Sequence, residues 1–154
     1  MKTLQFVLLL SLFTNLTFAQ GVHFASGREK NSNKPQMFAN EPTRSSVKPD
    51  FFNKLLSNKV NDQVTIAVTS TTSFTGKVTA ITKDAPGLET MIIQSTDVAG
   101  LVLSVSKTLI PGEGITYRGV MMSKDHNDML VLEKDPVTGS YMWNKKSVAH
   151  MIPD

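Results

Sequence analysis

Four consecutive residues, Asp125-His126-Asn127-Asp128, place two carboxylates, an imidazole and an amide in one short stretch. Oxygens from Asp125, Asn127 and Asp128 are the donors that a hard cation such as calcium takes. A calcium loop also needs a glycine at its bend and further acidic ligands, and the sequence lacks them here. Asp and Asn are equally the residues a hairpin turn uses to bond its own backbone. The stretch is therefore read as a turn, and no metal site is expected. The three histidines, His23, His126 and His150, stand far apart and begin no metal-binding helical pattern. Serine and threonine are plentiful, but there is no G-x-S-x-G elbow to raise one as a nucleophile. The carboxylates fall mainly in turns (Asp84, Glu113, Asp125, Asp128, Asp135), where paired acid–base work has no pocket. With no cysteine, disulfides, thiol catalysis and thiolate metal sites drop out together. No catalytic residue and no cofactor are assigned, and the chain is read as non-enzymatic.

Tyr141-Met142-Trp143 is the other chemically distinctive stretch. On a strand, Tyr141 and Trp143 project to one face and Met142 to the other. Exposed, the pair would stack on a sugar ring or anchor a partner protein; covered, it would be core. Tyr141 and Trp143 are the candidate binding residues.

The elements that must position these residues are almost all strands. Asp50 stands as an N-cap before Phe51-Phe52-Asn53-Lys54-Leu55-Leu56, where residues 51, 52, 55 and 56 share a helical face. After it the period is two: residues 63–68, 73–82, 88–95, 100–108, 114–123, 128–134 and 139–145 read as strands. Between them lie Asp84-Ala85-Pro86-Gly87, Pro111-Gly112-Glu113-Gly114, the 125–128 stretch and Asp135-Pro136-Val137-Thr138-Gly139, all turn chemistry. Short connections favour antiparallel neighbours, because parallel pairing needs crossover helices. The expected fold is mainly β: an antiparallel meander of about six or seven strands, closed as a small barrel or sandwich, with one short helix before it.

The first 19 residues, MKTLQFVLLLSLFTNLTFA, have a basic start, a short apolar run and small residues at a cleavage site. They are read as a signal peptide, with Gln20 as the new N-terminus. The apolar run falls short of the ~20 residues a spanning helix needs, so no stable membrane anchor is expected after cleavage. The product is expected outside the cytoplasm, secreted or periplasmic. Residues 20–50 are read as an extended or disordered segment. Beyond a brief Val22-His23-Phe24 patch they carry Ser, Asn, Lys and Pro without an apolar period. Arg28, Lys30, Lys34, Arg44 and Lys48 are expected to be open to trypsin. Residues 51–154 are read as the β-rich globular domain. The formal net charge is +3, one unit of it from Lys2 in the leader. So small a charge makes no electrostatic case for nucleic acid.

The strand region reads as two similar halves. Phe74-Thr75-Gly76 opens one and Tyr117-Arg118-Gly119 the other, each followed by an apolar strand and a Gly-led strand. A glycine two residues from an aromatic leaves room for a ring or for a bent strand. This rhythm, with Gly139-Ser140-Tyr141, resembles β-meander segments that precede the catalytic domain in secreted bacterial metallopeptidases. It also resembles small exported bacterial proteins of unknown function. The resemblance covers roughly residues 60 to 154 and implies an inhibitory, chaperoning or adhesive role. The leading expectation is an exported domain that binds a protein or glycan. A propeptide-like inhibitor or chaperone of a secreted peptidase, and a hydrolase with an unrecognised site, are the alternatives.

Overall fold

The computed structural model describes residues 34–47 and 50–148. The leader, the Val22-His23-Phe24 patch and His150 lie outside the described residues. Strand β1 (Arg44–Ser46) precedes helix α1 (Phe51–Leu56). Strands β2 (Gln63–Ala67), β3 (Ser73–Ala85), β4 (Leu88–Ser95) and β5 (Leu101–Ile110) follow. The chain continues through β6 (Gly114–Ser123), β7 (Asp128–Lys134) and β8 (Tyr141–Ser147). All pair antiparallel in one continuous sheet of order β1-β8-β7-β6-β5-β4-β3-β2, curled into a half-barrel. The two halves of the meander are therefore neighbours in one sheet rather than two sheets face to face.

Turn chemistry sets the hairpins. Ala85 pairs with Leu88, so Pro86-Gly87 alone connects β3 to β4, with Gly87 at φ +80°. Proline supplies the fixed first position and glycine the left-handed second one. In the next long hairpin Ile110 pairs with Gly114. Alternation then decides the faces. Val64, Ile66, Phe74, Val78, Met91, Ile93, Leu103, Val105, Met121, Leu130, Leu132 and Trp143 line the concave side and form the core. Helix α1 lies in the concavity, with Phe51 and Leu55 buried as their spacing predicts. Asp50 sits at the N-cap without a side-chain cap bond and pairs instead with Lys54 at 2.6 Å.

Segment 34–47 corrects the expected boundary at residue 50. Residues 44–46 form β1 on the edge of β8, and Phe38 is buried in the same core as the strands. The segment is neither extended throughout nor loose: it turns at residues 39–40, where the Glu41 N–H donates to the Phe38 carbonyl at 2.9 Å, and it packs on the half-barrel as a strap. Its sequence hides this because the strap has almost no repeating ladder of its own. Long-range side-chain contacts fix it instead. Arg44 is strand-paired and ion-paired to Asp135 at 2.7 Å, and the Lys34 ammonium donates to the Lys124 carbonyl at 2.7 Å. Neither is the loose side chain expected of a linker.

Candidate functional site

The half-barrel has two ends. At one, the connections 68–72, 96–100 and 124–127 meet the strap. The turn at 125–128 lies here, and its two carboxylates stand in different surroundings. Asp128 is 3% exposed. Its carboxylate accepts the Met37 N–H at 2.7 Å and the Phe38 N–H at 2.9 Å. Asp125 is exposed, and the Asn127 N–H donates to the Pro35 carbonyl at 3.1 Å. Among the described residues no group of three or more His, Asp or Glu side chains is placed to hold a metal.

Glu41 is the second buried carboxylate of this end, 8% exposed. The Thr69 hydroxyl donates to Oε2 at 2.7 Å, Thr71 to Oε1 at 2.8 Å, and Thr72 also to Oε1. Burial by itself pushes its pKa up; the hydroxyls of Thr72, Thr69 and Thr71, with the Lys145 charge, outweigh that and hold it below the ordinary glutamate value. Glu41 precedes β1, and the threonines lie in the loop from β2 to β3, so the carboxylate joins the two edges of the curled sheet. With three hydroxyls donating to it, this carboxylate fastens the strap to the β2–β3 loop.

At the other end the β3–β4 and β5–β6 hairpins project. Between them lies an open depression of about 630 Å³, lined by residues 83–89 with Lys107, Leu109 and Ile115. Leu109 and Ile115 face each other in register across β5 and β6. They are 57% and 47% exposed, among the most exposed large apolar residues described. The depression carries Lys83 and Lys107 against Asp84 and Glu89, so its formal charge cancels. Only a loose pair joins them, Lys83 to Glu89 at 3.9 Å. With no net charge to select an ion, the apolar floor is what the depression offers.

The two candidate binding residues, Tyr141 and Trp143, share the concave face as expected. Trp143 is 0% exposed, with its ring edge-on to Phe51 at 5.9 Å. Its indole N–H has no acceptor among the described residues. This ring belongs to the core and cannot meet a partner. Tyr141 is half-buried; its hydroxyl accepts the Tyr117 N–H at 2.9 Å, because β7 pairs with β6 only from Gly119 onward. Phe52 stacks on Tyr117 with centroids 3.9 Å apart and meets Tyr141 edge-on at 5.0 Å. Within this cluster Phe52 and Tyr117 each cover one face of the other. Sequence reasoning missed Leu109 and Ile115, which lie on either side of the turn and come into register because Ile110 pairs with Gly114. In a β hairpin, an apolar residue on each side of a turn faces its counterpart across the strands.

The turn after β7 is as read: the Asp135 carboxylate accepts from the Val137 and Thr138 N–H groups at 2.9 and 3.0 Å. The Thr138 N–H, the Arg44 guanidinium and the Val137 N–H, in that order, lower its pKa to about 2. No protein-family model, curated protein or solved structure matches the chain.

Proposed function

We propose that the chain is a non-catalytic domain, delivered outside the cytoplasm, that holds a protein partner through the depression between its two long hairpins. The observation that carries this reading is the in-register pair Leu109 and Ile115, exposed by 57% and 47% on the floor of that depression. A contiguous apolar surface left in water marks a place where another molecule docks. The fate of the polar groups supports the same reading. Glu41, Asp128 and Asp135, three carboxylates held by hydrogen bonds, fasten turns and the strap. A protein is favoured over a glycan because sugar stacking needs a free aromatic face, and no aromatic residue lines this depression among the described residues.

The test is capture from the exported fraction of the producing cell with the mature protein and with a Leu109→Asp/Ile115→Asp variant. Both residues are exposed, so the variant should unfold at the wild-type denaturant midpoint while its captured partner falls at least tenfold. The same proteins retained by both forms, or none by either, would overturn the reading. A secreted peptidase among them would give the domain the inhibitory or chaperoning role that the resemblance implies. Export is tested separately by the mass of the product, which should begin at Gln20.

A further inference from the structure

We propose that the surface under the strap is a peptide-binding groove, filled in the free protein by the chain's own residues 34–47. In trans it takes a peptide that turns and then runs as a strand, with an aromatic residue, a carboxylate three positions later and a guanidinium three positions after that. The groove is built from groups of both signs aimed at main chain. Asp128 accepts the N–H groups of Met37 and Phe38, at 2.7 and 2.9 Å. The Lys145 ammonium donates to the carbonyls of Phe38, Ala39 and Glu41, at 3.2, 3.3 and 2.7 Å. An anion on the donors and a cation on the acceptors hold this short segment as a tight turn, closed by the Glu41 N–H donating to the Phe38 carbonyl at 2.9 Å, through main chain alone. Farther along, β8 adds a ladder in which Arg44, Ser45 and Ser46 pair with Asn144, Trp143 and Met142. That is strand addition to a sheet edge, a recurring way to bind peptides.

Sequence would be read at three positions. Phe38 enters the core at 3% exposure. Glu41 meets the three threonine hydroxyls. Arg44 meets the Asp135 carboxylate at 2.7 Å. The cis segment does not fill the groove: about 270 Å³ remains open beside Phe38, between Met37, Glu41, Phe74, Leu101 and Met121. A covalently joined segment acts at an effective concentration of roughly millimolar, so a free peptide competes only after the joint is cut. This groove lies at the strap end, away from the Leu109–Ile115 depression, so either proposal can fail without the other.

The test uses the full mature chain with a specific protease site inserted between Val47 and Asp50, cut after folding. A fluorescein-labelled synthetic peptide of residues 34–47 is the probe. The cut protein should raise its anisotropy saturably, and unlabelled peptide should reverse this. The uncut protein should bind at least tenfold more weakly. A competitor carrying Phe38→Ala and Glu41→Ala should also be at least tenfold weaker. A cut protein that keeps its β-sheet circular dichroism but takes up no probe would overturn the proposal. So would loss of the fold on cutting, because the strap would then be inseparable core. Equal competition by the doubly substituted peptide would overturn the recognition pattern.

Discussion

The strap end and the hairpin end of this half-barrel are made from similar material and used in opposite ways. At the strap end, two buried carboxylates and one ammonium are satisfied by backbone groups and hydroxyls, and the apolar Phe38 is covered. At the hairpin end, four charged residues make one loose ion pair and two large apolar side chains stand in water. Buried polar groups must be bonded to be tolerated, and here that bonding closes a sheet that would otherwise gape between β1 and β2. The hairpin end has no such closure. The buried carboxylates of this molecule are thus concentrated where it holds itself together.

The largest expected effect is at Asp128. Asp128→Ala leaves the Met37 and Phe38 N–H groups without their acceptor, which should cost about 2–4 kcal/mol in denaturant unfolding. Asp128→Asn, which keeps one acceptor oxygen, should lose roughly half as much. A loss as small as that of a surface substitution would place Asp128 in an open turn and erase the contrast between the ends.

Next come the paired glycines. A Cβ on Gly76 would lie 2.6 Å from the Gln94 carbonyl oxygen and 2.8 Å from the Phe74 ring. Backbone cannot yield as a flexible side chain does, so Gly76→Ala should cost ~1–3 kcal/mol. On Gly119 the nearest atoms, Leu132 Cβ and the Ser104 carbonyl oxygen, are both at 3.2 Å. Gly119→Ala should therefore cost distinctly less. The two positions open similar halves of the meander, but an aromatic ring crowds the glycine only at Gly76. Midpoints in the reverse order would contradict this geometry.

Glu41 sharpens the comparison through pH. Its folded pKa lies below the ordinary glutamate value, so its stabilisation is fully present above that value and is lost as pH falls through the folded one. Glu41→Gln should cost about 1 kcal/mol near pH 7, and the gap to wild type should close in acid. A gap independent of pH would mean the carboxylate charge contributes nothing. Asp135 follows the same sign, with its contribution lost between the ordinary aspartate value and about pH 2. The smallest effect is at the Arg44–Asp135 pair, whose guanidinium is exposed: Arg44→Ala should leave the unfolding midpoint nearly unchanged.

How legible each end was in the sequence follows from the same contrast. Strands β2 to β8 were readable because alternation and turn residues are local. The read ranges differ from the observed ones mainly at their ends, such as the Gly-led start of the last strand, where Gly139 belongs to the turn at φ +71°. The strap was not readable. Phe38 sits in a three-residue apolar run, Met37-Phe38-Ala39, with no repeat to mark it, and its docking depends on Asp128 and Lys145, about a hundred positions away in the chain. The 125–128 stretch was read rightly as a turn, but the partner of its last carboxylate could not be seen. Trp143 and Tyr141 were placed on the correct face. That the face is concave and covered by α1 depends on the curl of the whole sheet.

Amide hydrogen exchange on the mature chain, resolved by peptide mass spectrometry, tests the central claim most directly. Backbone groups held in buried bonds exchange only when the structure opens, whereas exposed turns exchange freely. Peptides covering residues 36–46 should be protected at least a hundredfold more than those covering the turns at 85–88 and 110–114. Exchange of 36–46 as fast as those turns would show that the strap does not close the half-barrel, and the distinction between its two ends would fall.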